Sequence, residues 1–308
     1  MIYNNVLEAI GNTPVIRLAK MTGENDAEIL VKFEGVNIGG SIKTRTAYNM
    51  IKEAERRGEI HPDSIIVEPT SGNQGIGLAM VGAVRGYKTI FVMPDSVSIE
   101  RSKLLKNYGA EVILVEDKGD IGECIANCLK TVEKLKAENP KVFVPQQFVN
   151  PDNPAVHWNE TGREILEQVN KPIHGFCSGV GTGGTISGVG GVLKEKNPDI
   201  EIWVLEPENA AILAGGKIGS HVQMGIGDGL IPENLNTKIY SHIELVSDAD
   251  ALKTAKDLAR LEGLMCGISS GTNVAAALRM AKKLGKGKTI VTLLPDTGER
   301  YFSTPLFD

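Results

Sequence analysis

Long apolar runs are missing from this 308-residue chain. None approaches the roughly 20 residues that a membrane-spanning helix needs. The opening Met1-Ile2-Tyr3-Asn4-Asn5 lacks the basic-then-apolar pattern of an export signal. Clustered lysine and arginine are also missing, and the net charge is −5. Neither nucleic acid nor an acidic membrane surface is therefore an expected partner. Cysteine is sparse: Cys124, Cys128, Cys177 and Cys266 are the full set. No two of them stand at the two-residue separation of a metal pair, so no metal site is expected. Cys124 and Cys128 fall on a helical apolar stripe with Ile121, Ile125, Val132 and Leu135 and read as packing. Cys177 closes an apolar strand, and Cys266, just before a small-residue loop, also reads as packing. Low-complexity segments and short repeats are absent. These absences leave a cytoplasmic globular protein of about two domains.

What the chain does have is alternation. Strand-like segments at Ile29–Phe33, Ser64–Glu68, Thr89–Met93, Val112–Val115 and Val142–Val144 are interleaved with helical ones. Ser41 is positioned to cap a helix running to Arg57, and further helices are expected over 74–85 and 121–137. The 74–85 segment carries Gly75, Gly77, Ala79, Gly82 and Ala83 and should pack closely on its neighbours. The second half repeats the rhythm. Strands are expected at 173–177, 200–205 and 289–294. Helices are expected at 184–194, at 249–261 (capped by Ser247, closed by Gly263) and at 272–284. This pattern specifies an α/β protein with two open, twisted, mostly parallel sheets covered by helices. The joint is placed near Pro145, dividing the chain into residues 1–145 and 146–308. A stretch at about 13–34 is free to join the second sheet.

Four polar, small-residue segments stand out: Gly39-Gly40-Ser41-Ile42-Lys43, Thr70-Ser71-Gly72-Asn73, Gly181-Thr182-Gly183-Gly184-Thr185 and Ser269-Ser270-Gly271. Two of them connect a strand to a helix, where open α/β sheets bind ligands. One amine and three such loops suit pyridoxal phosphate: Lys43 for the aldehyde, a glycine loop at a helix start for the phosphate. The Gly179–Gly184 loop also matches a dinucleotide fingerprint, with Glu206 where a ribose-binding acid would stand. An NAD-binding oxidoreductase is thus an open alternative, as is a merely structural glycine turn. The Lys43 segment is not a Walker loop, because two residues separate Gly40 from Lys43.

Taken together, these motifs resemble the cysteine synthase family of pyridoxal-phosphate enzymes (fold type II). Ile10-Gly11-Asn12-Thr13-Pro14, Gly39–Lys43, Glu68–Asn73, Gln146-Gln147-Phe148, Thr182–Thr185, Gly267–Gly271 and Pro295–Tyr301 carry the likeness over nearly the whole chain. The resemblance implies that Lys43 bonds the coenzyme and later moves the substrate's α-proton. It implies that Asn73 meets the ring hydroxyl, that Gly181, Thr182, Gly183, Gly184 and Thr185 hold the phosphate, and that Ser269 faces the pyridine nitrogen. Thr70, Ser71, Asn73, Gln147 and Gly225 would surround the amino-acid substrate. A homodimer is implied, with a mobile subdomain near residues 85–130. A neutral serine at the ring nitrogen deepens the electron sink less than an acid would. That favours β-replacement through an aminoacrylate over racemisation or transamination.

Four positions depart from the family pattern. Ile38 and Thr44 read as local variation, and Gln74 adjoins the asparagine loop, open to a packing or a pocket role. Asp228, in Gly225-Ile226-Gly227-Asp228-Gly229, replaces a usual alanine at the substrate mouth. A carboxylate there would repel hydrosulfide and could take a proton from water. The expectation is a cysteine hydroxyl-lyase: cysteine plus water giving serine and hydrogen sulfide. The nearest alternative makes cysteine from O-acetylserine or O-phosphoserine and sulfide. An aspartate between glycines that only caps a turn is the plain reading of the same residue.

Overall fold

The computed structural model describes residues 2–70, 72–118 and 121–308. Its strands sort into two sheets. The first has the order β1-β2-β10-β7-β8-β9, built from β1 (Val15–Arg17), β2 (Glu28–Phe33), β7 (Gly175–Gly179), β8 (Glu201–Pro207), β9 (His242–Val246) and β10 (Thr289–Leu294). The second has the order β5-β4-β3-β6, built from β3 (Ile65–Pro69), β4 (Lys88–Pro94), β5 (Glu111–Val115) and β6 (Val142–Phe143). Every pairing is parallel except β1 with β2. The mostly parallel α/β expectation holds, and β1 and β2 from the first part of the chain sit in the larger sheet.

Parallel strands need crossover helices, which bury both faces. The alternation is visible within single strands. In β2, Ile29 and Val31 enter one core while Leu30 enters another. In β8, Trp203 and Leu205 face the first core, Ile202 and Val204 the second. The first core is completed by α8 (Asp248–Asp257) and α9 (Ile268–Leu284), through Ala251, Ala255, Val274, Ala277 and Met280. The second is completed by α6 (Gly162–Val169) and α7 (Gly184–Lys196), through Ile165, Val189 and Leu193. On the smaller sheet, α1 (Lys43–Arg57), α2 (Asn73–Arg85) and α3 (Ile99–Asn107) cover one face. Helix α4 (Ile121–Glu138) covers the other, with Cys128 and Val132 in its core. All four cysteines are buried, in line with packing roles.

Helix α2 packs closely, as its small residues imply. A Cβ at Gly77 would lie 2.9 Å from Ala47 Cβ and 3.0 Å from the Lys43 carbonyl oxygen. Several local expectations are corrected. Ser41 does not cap α1: the cap position is Ile42, no side chain caps it, and Ser41 is drawn into a backbone bridge with Asp296. Ser269-Ser270-Gly271 is not a loop but the first turn of α9, which starts four residues earlier than expected. The short helix α5 (Asp152–Val156), running through a π turn (His157–Thr161) into α6, and strands β1 and β9 were not anticipated. Ser247 does cap α8, accepting from Asp250 N–H at 3.1 Å.

Candidate active site

The site residues converge from the ends of both sheets. Lys43 is the first residue of α1, set there by the Gly39–Gly40 turn. It is half-buried and its amine makes no hydrogen bond with any described residue. Burial pulls its pKa below the lysine range, while the carboxylates of Asp228 and Asp296 pull it back up. A lowered pKa makes the amine's lone pair more readily available to an aldehyde.

The phosphate-type loop follows β7. Gly183 adopts φ +77°, which a side chain would resist, and ends in the helix start at Gly184. No side chain caps α7, so its first N–H groups remain available to an anion. Thr182 is buried, its hydroxyl accepting from Asn153 Nδ2 at 2.9 Å. Thr185 Oγ1 lies 3.4 Å from His157 Nε2. His157 is buried and its pKa is driven well below the histidine range by burial, then by the charges of Lys43 and Arg45. It is therefore a neutral neighbour of the loop.

Around the ring position, Asn73 opens α2 with its amide fixed on both sides. Nδ2 donates to Asp296 Oδ2 at 2.6 Å, and Oδ1 accepts from Arg300 at 2.7 Å. Ser269 is buried in the first turn of α9 with no hydrogen-bond partner for its hydroxyl among the described residues. Thr70 uses its hydroxyl oxygen to accept from the N–H groups of Gly72 (3.1 Å) and Gly75 (3.2 Å), so it shapes the asparagine loop. Gln147 is anchored through its backbone. Its N–H donates to Glu68 at 2.9 Å, and its carbonyl accepts from Asn153 (2.8 Å) and Asn234 (2.9 Å), while its side chain makes no hydrogen bond with any described residue. Ser71 lies outside the described residues.

Asp228 sits on a loop beside the phosphate-type loop. Gly227 N–H donates to the Val180 carbonyl at 3.0 Å. A Cβ at Gly181 would meet the Gly225 carbonyl oxygen at 2.3 Å and Asp228 Oδ2 at 3.7 Å. Burial raises the Asp228 pKa, and the Lys43 and His221 charges oppose the rise. His221 in turn holds the loop, accepting from Gln223 N–H at Nδ1 (3.1 Å) and reaching the Gly227 carbonyl with Nε2 (3.2 Å). Gln74 is buried, its Oε1 accepting from the Thr46 hydroxyl of helix α1 at 2.7 Å. Glu206 is occupied as well, accepting from Leu213 and Ala214 N–H groups, which removes the acid required by the dinucleotide reading.

Sequence reasoning assigned no role to Glu68, Asn153, His157, Asn234, Asp296 or Arg300. Asp296 and Arg300 stand in a motif that was noticed, but no spacing rule connects them to Asn73. Asn153 and His157 lie in the unanticipated helix. Among the described residues there is no cluster able to hold a metal ion, and no helix is long and apolar enough to cross a membrane.

A lysine with a lowered pKa, an uncapped glycine-lined helix start and a ring of amide and hydroxyl groups define a coenzyme site for amino-acid chemistry, and they fit pyridoxal phosphate. Comparison with known proteins agrees. Residues 6–296 match the family model "Pyridoxal-phosphate dependent enzyme". A cysteine synthase of Staphylococcus aureus is 50% identical over 99% of this chain and 97% of its own length. The crystal structure of a hydrogen sulfide-producing enzyme from Fusobacterium nucleatum superposes with a TM-score of 0.92 at 43% identity, covering 97% of this chain and 100% of that one. A cysteine synthase structure from Entamoeba histolytica gives 0.93 at 40% identity, covering 100% of this chain and 91% of that one. The chain belongs to the cysteine synthase family of pyridoxal-phosphate-dependent enzymes. The oxidoreductase reading is thereby set aside.

Proposed function

We propose that this enzyme releases hydrogen sulfide from cysteine and leaves serine, a β-replacement in which water is the incoming nucleophile. The observation that carries the reading is Asp228: a carboxylate close enough to Lys43 for each to shift the other's pKa, on a loop packed against the phosphate loop. The likeness to a hydrogen sulfide-producing enzyme supports it.

Bound pyridoxal phosphate supplies an electron sink next to the substrate's α-carbon. The protein's residues do the rest. Gly181, Thr182, Gly183, Gly184 and Thr185 hold the phosphate, and Asn73 and Ser269 meet the ring. Thr70, Ser71, Gln147 and Gly225 orient the substrate. Lys43 Nζ takes the α-proton, and the C–S bond breaks with sulfur leaving as hydrosulfide. Water adds to the β-carbon and gives a proton to the Asp228 carboxylate, Lys43 returns the α-proton, and Asp228 releases its proton to solvent, where it joins hydrosulfide to make hydrogen sulfide. Cysteine and water are consumed, serine and hydrogen sulfide formed, with no net oxidation. A raised pKa makes the ionised Asp228 a stronger base for that water. Its negative charge also disfavours the return of hydrosulfide. On the same resemblance, the enzyme acts as a cytoplasmic homodimer.

The second reading is cysteine synthesis from O-acetylserine or O-phosphoserine and sulfide, favoured by the 50% identity to a cysteine synthase. One experiment separates the two. Asp228→Asn should lower serine formation from cysteine by about 10²–10⁴-fold. The same variant should retain cysteine formation from O-acetylserine and sulfide. Sulfide and serine are quantified together, and an unchanged serine yield removes the hydroxyl-lyase reading in favour of the synthase one.

A further inference from the structure

The segment from Pro295 to Ser303 belongs to none of the loops assigned to coenzyme or substrate, yet it touches three of them. Its backbone runs between two. On one side Ser41 bridges Asp296, and Ile42 N–H donates to the Pro295 carbonyl at 2.8 Å, immediately before Lys43. On the other side Cys266 bridges Thr297, and Gly267 N–H donates to the Asp296 carbonyl at 3.3 Å, two residues before Ser269. Its side chains reach the third. Asp296 is fully buried, and its Oδ2 accepts from Asn73 Nδ2 at 2.6 Å and from the Tyr301 hydroxyl at 2.7 Å. Arg300 is buried too. It donates to Asn73 Oδ1 at 2.7 Å and, with its other terminal nitrogen, to the Gly39 carbonyl.

An asparagine amide is nearly symmetric in shape and can present either end to a ligand. Here the choice is removed. A cation sits on the oxygen and a carboxylate on the nitrogen, so one N–H is used and the other is aimed outward. A flipped amide would set oxygen against Asp296 and N–H against a guanidinium, losing both bonds. The same segment reaches α3: Ser98 Oγ donates to the Arg300 carbonyl at 3.0 Å, the Arg101 guanidinium lies over the Tyr301 ring at 5.2 Å, and Ser303 Oγ donates to Glu100 at 2.8 Å.

We propose that Asp296 and Arg300 are positioning residues for the coenzyme ring. They lock the Asn73 amide so that its free N–H faces the ring hydroxyl, and the backbone over Pro295, Asp296 and Thr297 keeps the Lys43 and Ser269 segments in register. The inference rests on Asn73 being the partner of that hydroxyl. Neither residue touches the reacting atoms; both act through Asn73 and the flanking backbone.

The test uses holoenzyme and pyridoxal phosphate itself, reading the visible absorption band and the loss of that band on dilution. Arg300→Met should speed or deepen coenzyme loss by about 10–100-fold, the scale of a hydrogen bond to a charged group. It should also shift the band towards the protonated-hydroxyl form at shorter wavelength. Asn73→Ala should do the same, and the double variant should be no more than about threefold worse than Asn73→Ala, because coupled residues are not additive. Should Arg300→Met not fold, Arg300→Lys, which keeps the charge but not the fork, should move the band in the same direction by a smaller amount. If Asn73→Ala loosens the coenzyme while both Arg300 variants keep it within threefold with an unmoved band, the proposal is wrong. Additive effects in the double variant also overturn it, marking Arg300 as a general stabiliser. If Asn73→Ala itself has no effect, it is the reading of Asn73 that fails.

Discussion

Glu68 is a carboxyl group with almost no water around it. It is 1% exposed at the end of β3, and its two oxygens accept the N–H groups of Gln146 (3.0 Å) and Gln147 (2.9 Å). Burial outweighs those two bonds and pushes its pKa up to about 7. The folded protein thus holds this proton more tightly than the unfolded chain does. Between the unfolded value near 4.5 and about 7, the folded state binds more protons, so stability falls as pH rises. The contribution is on the order of 3 kcal/mol across that window, at about 1.4 kcal/mol per pKa unit. Denaturant unfolding at pH 5 and pH 8 should show the decline, and Glu68→Gln should flatten it; a wild-type profile without it contradicts the assignment. The same residue shows where sequence reading stops. Asp228 drew notice because it broke a familiar pattern. Glu68 stood inside the pattern, and its role depends on a bond to Gln147 far along the chain.

At the scale of elements, α7 and its loop are built around close approach. A Cβ at Gly184 would lie 2.0 Å from Asn153 Oδ1, in the helix that also secures Thr182 and Gln147. Gly184→Ala must push Asn153 away and release both. The expected result is a loss of about 1–3 kcal/mol in unfolding free energy, the usual range for overpacking. Weaker pyridoxal phosphate retention should accompany it, measured on the same preparation. An alanine variant that keeps wild-type stability and coenzyme would show that the Asn153 contact is slack. The legible elements were those whose apolar periodicity is intact, such as α1, α2, β2 and β10. Ser269-Ser270-Gly271 read as a loop because its residues are small. The structure gives another reason for them: a Cβ at Gly271 would meet the Ala251 carbonyl oxygen at 2.0 Å, so α9 is small there to admit α8. The α5–α6 segment was hidden by Pro151, Pro154 and Gly162 and by a π turn that breaks the 3.6-residue period. Strand β9 sits at the sheet edge with a half-exposed face, where the signal is weakest.

Across the whole molecule, the Lys43 helix is tied to the larger sheet by a buried ionic cluster two residues past the lysine. Arg45 is 1% exposed. It binds Glu34 through Nε (2.8 Å) and a terminal nitrogen (3.0 Å), and Glu164 of α6 through both terminal nitrogens at 2.7 Å. Lys32 of β2 completes it, donating to Glu164 and to the Thr13 carbonyl at 2.6 Å and to Gln168 at 2.8 Å. Two cations thus face Glu34 and Glu164, with the more exposed Glu160 3.6 Å from Arg45, joining β2, α1 and α6. Burial alone would raise the Glu164 pKa, but Arg45 and Lys32 hold it at about 2. A depressed carboxyl contributes stability above its unfolded pKa near 4.5 and loses it as pH falls towards 2, the opposite sign to Glu68. Removing one partner of a buried pair is far worse than removing both, because the survivor is left without compensation. Arg45→Met should therefore lower unfolding free energy by about 3–5 kcal/mol, read from urea midpoints at pH 7. Glu34→Gln added to Arg45→Met should recover part of the loss, since it discharges one stranded carboxylate. The acid limb of the stability profile should also become shallower in Arg45→Met, because Glu164, left with Lys32 alone, gains less from ionising. A fall below 1 kcal/mol, with an unaltered acid limb, would show that the cluster is not what joins the Lys43 helix to the larger sheet.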